Sequence, residues 1–217
     1  IKHVLPAILR AAQAFAQKSD NSFLLDSVWW VPSNGKYIGL SDAYLSACGE
    51  VLSILSKNDT NLLRPFIDEL RKWQLCIANH LLLNLVLTAP VIFAEESMAM
   101  LASEPDRLFC GFSSNAHWIS RRLIEMASPY CSEGTFAKLE SVLVNYSTAV
   151  EKSEKNQDCK GHAAYNLASA LADSRRSHST NEQLVEWQRE FTAPDPLPDD
   201  GGCYTIVSPV SEKEAVR

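Results

Sequence analysis

The sequence predicts an all-α protein. Apolar residues recur at spacings of three and four along most of its 217 residues, and almost nothing alternates with period two. Helix-start signals and proline breaks divide this pattern into roughly eight to ten helices with short connections. The expected arrangement is stacked antiparallel helix pairs, either a HEAT- or TPR-like solenoid or an irregular helical bundle, with an extended C-terminal strap. No repeat of fixed period selects between the two.

The first helix is expected over 4–18, where Val4, Leu5, Ile8, Leu9, Ala12 and Phe15 share one face and Pro6 is tolerated in the first turn. NSFLLDSVWWVP, residues 21–32, reads as a second short helix that stops at Pro32, and Asn34-Gly35 as a turn. Ser41 caps a helix of about 42–56 on which Tyr44, Leu45, Cys48, Val51, Leu52 and Leu55 repeat. Asp59 or Thr60 then opens the longest element. Its stripe is Leu63, Phe66, Ile67, Leu70, Trp73 and Ile77, and it is expected to run to about Thr88.

Pro90 breaks the pattern, and a further helix is expected over 91–102. Glu104-Pro105-Asp106 starts a turn and a short helix near 106–112. Over 115–127 the expected inward residues are Trp118, Ile119, Leu123 and Met126. Ser132 caps a helix carrying Phe136, Leu139, Val142, Leu143 and Tyr146, which fades in the charged loop 151–158. Small residues over 162–174 form a helix suited to close packing. Ser179, with Glu182 three positions later, has the form of a capping box before LVEWQREF. The helices at 42–56 and 60–88, and those at 133–148 and 162–174, are the expected hairpins.

Residues 1–192 thus read as a helical-repeat domain and 193–217 as a strap or linker. That last segment holds four of the ten prolines and Gly201-Gly202, yet Tyr204 to Val207 is apolar and is the one stretch that reads as a strand. A chain that begins at Ile1, with no signal-peptide cleavage pattern, reads as an excised or processed piece.

With 46% hydrophobic and 21% charged residues, the composition is that of a soluble globule. The formal net charge of -6 disfavours a phosphate backbone as partner. The adjacent pairs Arg121-Arg122 and Arg175-Arg176 both fall where a helix shows them to solvent. The cysteines at 48, 76, 110, 131, 159 and 203 contain no CxxC and read as buried small hydrophobes of a reducing compartment, hence a cytoplasmic protein. The window 75–94 is apolar but interrupted by Asn79, His80, Asn84 and Pro90, so it reads as a core helix, not a membrane span.

No P-loop, GxGxxG, GxSxG, HExxH or EF-hand pattern is present, so no cofactor and no metal site is expected. Cys159 and His162 are three apart, and a thiolate and an imidazole both bind zinc, but the second pair, Cys110 and His117, lacks finger spacing. His162 then reads as a first-turn surface residue, and Cys159 as a loop-edge thiol. His80 suits a catalytic base or a buried, hydrogen-bonded core histidine. His117-Trp118 suits a ligand stack or a core position. Trp29 and Trp30 point about 100° apart on a helix, so one ring is a candidate for a groove or a partner surface. With Arg121 and Arg122 they make the expected protein interface.

HAAYNLASALADSRR, LVEWQREF, DPLPDDGG and YTIVSPV together resemble the internal helical region of very large bacterial STAND-type NTPases with antiphage roles. The similarity spans about 162–210 and rests on Trp187, Arg189, Phe191, Gly201, Gly202, Ser208 and Pro209. It implies an NTP-hydrolysing core and an effector elsewhere in a parent protein, with the helices as sensor or scaffold. It implies no ATPase activity here, since the P-loop is missing. The expected function is therefore a non-catalytic helical module that recognises protein within a larger cytoplasmic protein. The alternative is an all-α small-molecule-binding or hydrolytic enzyme using His80, His117 or Cys159 with His162, and self-association is a third possibility. Geometry separates the first two: two or more polar titratable groups converging in a pocket favour an enzyme, and an extended apolar groove favours a binder.

Overall fold

The computed structural model describes residues 4–14, 16–18, 24–26, 47, 50–51, 54, 60–111, 115–148, 151–152 and 161–191. The described chain is mostly helical. Trp29, Trp30, Cys159 and the strap at 193–217 lie outside the described residues, as does most of the helix expected at 42–56.

α1 (Val4–Ala14) buries Leu5, Ile8, Leu9 and Ala12, the face its periodicity marks. It is shorter than expected. Residues Ala16–Lys18 (β1) pair antiparallel with Leu24–Asp26 (β2) in the register Ala16–Asp26, Gln17–Leu25, Lys18–Leu24. Both strands replace expected helix. Three residues are too few to display a period, and pairing overrides the helix preference of Ala, Gln and Lys.

The long element expected over 60–88 divides in two. A 3-10 turn over Thr60–Leu63 leads into α2 (Arg64–Arg71), with Pro65 in its first turn. The chain then leaves the helix, reaching extended geometry at Leu75 (φ -115°, ψ 138°), and α3 (Cys76–Leu87) begins. The division lets two different burial patterns coexist. α2 is amphipathic and buries Phe66, Ile67 and Leu70, whereas α3 buries Ile77, Ala78, Leu81, Leu82, Leu83, Leu85 and Val86 around its circumference. A helix apolar on all sides belongs at the centre of a fold, and α3 packs against both α2 and α5 (Trp118–Ala127).

α4 (Ala94–Ser103) follows the turn at 88–93, and a 3-10 turn over Pro105–Leu108 takes the place of the short helix expected at 106–112. α6 (Glu133–Val144) is capped by Ser132, whose hydroxyl accepts from the Thr135 amide at 3.3 Å, as its sequence indicates. α6 packs against α4 and against α7 (His162–Ala168). α7 ends at Ala168, short of the predicted end at 174, and a separate 3-10 turn covers Asp173–Arg175. α8 (His178–Glu190) begins two residues before the predicted start. Ser177, not Ser179, is its cap and accepts from the Thr180 amide at 3.2 Å, while Glu182 pairs with His178 at 3.2 Å. This register turns Thr180 and Leu184 inward.

Candidate functional site

The titratable residues singled out by sequence sit in separate structural roles. His80 lies within α3, where burial pushes its pKa down to about 4 and keeps the ring neutral at physiological pH. His117 precedes α5. Its Nδ1 lies 2.9 Å from the Leu108 carbonyl, and Phe109 and Tyr146 meet its ring edge-on, each at 5.5 Å between centroids. Burial lowers its pKa, against the raising effects of the Leu108 hydrogen bond and Glu151. Cys110 is buried and its thiol pKa is raised by that burial. His162 is exposed and its ring stacks at 37° on Phe191, 4.0 Å away. Among the described residues, no three of His, Cys, Asp or Glu gather as metal ligands.

The arginines expected to face solvent are mostly engaged within the fold. Arg121 is half-buried and donates from Nε to the Asn166 carbonyl at 3.1 Å, joining α5 to α7; burial lowers its pKa. Arg122 alone of that pair faces outward, in an i,i+3 pair with Glu125 at 2.9 Å. Arg175 and Arg176 each keep only 13% of the side chain exposed. Arg175 donates to the Ser128 carbonyl at 2.6 Å and lies 4.5 Å over the Phe136 ring, and Arg176 donates to the carbonyls of Leu171 and Ser169. Five guanidinium donors suit these turn carbonyls at the ends of short helices.

Two ends of the fold differ in character. Arg64 reaches Glu96 at 2.9 Å and Arg71 reaches Glu104 at 2.7 Å, over sequence separations of 32 and 33. Near-equal offsets mean that α2 and α4 run in the same direction. Their C-terminal ends border a groove of about 500 Å³ lined by Gln13, Lys72, Trp73, Ser103, Glu104 and Arg107, among others. Arg107 is buried there and acts as a hub. It donates to Glu104 at 2.6 Å, to the Arg71 carbonyl at 2.9 Å and to Asn79 Oδ1 at 3.3 Å, and Asn79 Nδ2 returns a bond to the Arg107 carbonyl at 3.1 Å. Burial raises the Glu104 pKa, but the bonds from Arg71 and Arg107 outweigh it and hold the carboxyl below its ordinary range. These charges are spent on one another.

The opposite end carries polar contacts and exposed apolar residues together. Glu95, in the first turn of α4, accepts from the Ser132 amide at 2.7 Å and the hydroxyls of Ser132 and Thr135 at 3.0 and 2.6 Å. The N-termini of α2, α4 and α6 therefore meet at this end. Just before them in the chain stand Leu62, Val91, Ile92 and Tyr130, with 49%, 54%, 64% and 60% of their surface exposed. Sequence reading missed all four, because Val91 and Ile92 were counted into a helix that starts only at Ala94. Apolar residues directly after Pro90, in a break and not on a stripe, were the available signal.

Comparison with known proteins found no matching family model, curated protein or solved structure. Among the described residues no helix is long and apolar enough to cross a membrane.

Proposed function

We propose that this chain is a non-catalytic helical module that binds protein, a partner or another part of a larger cytoplasmic protein, through the apolar end of its fold. The observation that supports this reading is the exposure of Leu62, Val91, Ile92 and Tyr130, all about half exposed, in the turns that lead into α2, α4 and α6. An exposed apolar patch costs free energy in water, and a protein surface is the usual place where such a patch is covered. The histidines favour an enzyme less well. His117 is engaged by the Leu108 carbonyl and two aromatic rings, and His80 is held neutral inside α3. An irregular bundle fits the packing better than a solenoid, since α3 meets α5 and α4 meets α6 across intervening elements. The STAND-like stretch at 162–210 is compatible with the same role, a sensor or scaffold segment of a larger NTPase.

The test is affinity capture by the wild-type chain beside the Val91→Ser/Ile92→Ser variant and, as a control at the other end, Lys72→Ala. A protein retained in moderate salt by wild type and Lys72→Ala should fall at least tenfold on the double variant, with Tm unchanged. Equal capture by all three chains means the apolar end is not the interface.

A further inference from the structure

We infer that the groove bordered by the C-terminal ends of α2 and α4 binds a free amino acid, taken as its zwitterion by Arg71 and Asp106. The site lies away from the apolar end and does not depend on the protein-binding reading. Charge is the first argument, because the pairing in the groove leaves a remainder. Two guanidiniums share one carboxylate: Glu104 Oε1 accepts from Arg71 Nε at 3.1 Å and Nη2 at 2.7 Å, and Oε2 accepts from Arg107 Nε at 2.6 Å. One positive charge is left over. Lys72 is cancelled by Glu69, 3.1 Å away. Asp106 is exposed on the groove lining, and among the described residues its carboxylate has no hydrogen-bond or ion-pair partner. The lining thus holds one unanswered charge of each sign. A ligand carrying both signs answers both, whereas a simple anion or amine answers one and faces the other as a like charge.

Geometry is the second argument. Buried Arg107 fixes Glu104, and Glu104 fixes the Nε edge of Arg71. The other edge of Arg71, Nη1 with the second hydrogen of Nη2, has no acceptor among the described residues, and 41% of the side chain is exposed. Two parallel N–H groups on one guanidinium edge are the fork that a carboxylate accepts from bidentately. Because Glu104 holds the group from behind, little freedom remains to be lost on binding. The last carbonyl of α2, that of Arg71, is already taken by Arg107 Nη2 at 2.9 Å, which blunts the negative end of that helix toward an incoming carboxylate. Asp106 follows three residues after the end of α4, whose negative partial charge adds to its own in favouring an ammonium. Trp73 and Pro105 supply apolar lining, with the indole held by its Nε1 bond to Glu69 at 3.1 Å, so the amino acid that fits carries an apolar side chain. A volume of about 500 Å³ falls within the roughly 300–1,000 Å³ of small-molecule sites.

The experiment titrates the full chain with phenylalanine, N-acetylphenylalanine, phenylalaninamide and glycylphenylalanine, read from the tryptophan indole N–H resonances. Phenylalanine should bind at least tenfold more tightly than the acetylated form, which lacks the ammonium, and than the amide, which lacks the carboxylate. Asp106→Asn should weaken phenylalanine about tenfold and leave the acetylated form unchanged. Arg71→Lys keeps the charge beside Glu104 but removes the fork, and should weaken phenylalanine and the acetylated form alike while sparing the amide. Asp106→Asn touches no contact within the fold, so it decides the matter by itself if Arg71→Lys lowers the Tm. Equal binding of the acetylated form or of the amide overturns the zwitterion. Tighter binding of glycylphenylalanine than of phenylalanine overturns the free amino acid in favour of a short peptide. Phenylalanine binding indifferent to both variants, or no response to any probe up to about 10 mM, overturns the site.

Discussion

Arg107 shows how a single residue holds three elements. Its guanidinium closes the C-terminal end of α2 through the Arg71 carbonyl, reaches α3 through Asn79 and pairs with Glu104 at the end of α4. Only 3% of its side chain is exposed, so replacing it leaves buried acceptors without donors. Arg107→Met is expected to cost about 3–5 kcal/mol in urea unfolding, and a loss under about 1 kcal/mol means the hub is not structural. His80 makes the second residue-scale prediction, on pH. Its folded pKa of about 4 lies below the ordinary 6.5, so the unfolded chain binds the proton first as pH falls. Stability therefore declines between about pH 6.5 and pH 4 and stops falling on this account below that. The full difference amounts to about 3 kcal/mol at 1.36 kcal/mol per pKa unit. His117 acts in the same direction, and Glu104 extends the decline below its own ordinary value of 4.5. Unfolding midpoints measured against pH should give a shallower slope for His80→Gln, and an unchanged slope refutes the assignment. Sequence marked His80 as a core residue or a base, and no sequence signal separated the two. Neutrality inside α3 comes from burial, which depends on neighbours distant in sequence.

At the scale of elements, the stripes were legible and the boundaries were not. Leu63, Phe66, Ile67, Leu70 and Ile77 are buried as their spacing indicates, because a 3.6-residue period survives whether one helix or two carries it. The break between α2 and α3 contains neither proline nor glycine and so left no mark. Capping residues fared unevenly. Ser132 stood alone before its helix and was read correctly, but Ser177 and Ser179 compete two residues apart and the burial of Leu184 decides between them. Removing each hydroxyl tests this choice. Ser177→Ala should cost about 1 kcal/mol, whereas Ser179→Ala should stay within about 0.5 kcal/mol. The reverse order puts the start of α8 where the capping box placed it. Gly161 offers a parallel case before α7. Its φ of 88° suits glycine, and an added Cβ meets Trp187 Nε1 at 3.2 Å. Gly161→Ala is thus expected to lower stability by about 1–2 kcal/mol, read by thermal melting, with the Trp187 and Phe191 contacts to α7 disturbed first.

For the whole molecule, the order of packing determines how the chain comes apart. In a stacked array each unit touches only its neighbours, and ends can unfold while the middle stays intact. Here α3 packs on α5, α4 on α6, and α5 on α7, so removing any one helix exposes apolar surface on elements far away in sequence. The core is accordingly continuous from Leu5 in α1 to Leu184 in α8. Three tryptophans sample this core at well-separated points: Trp73 after α2, Trp118 at the start of α5 and Trp187 in α8. Chains retaining one of these three, with every other tryptophan replaced by phenylalanine, should report the same urea midpoint as far-ultraviolet circular dichroism. Each chain serves as its own reference, so the cost of the substitutions cancels from the comparison. A Trp187 transition that precedes that of Trp73 by more than the fitting error separates α8 from the bundle and restores the array. Coincidence of all three establishes one cooperative body, on which the apolar end is a fixed surface held by three helix starts and not a joint between units that move apart.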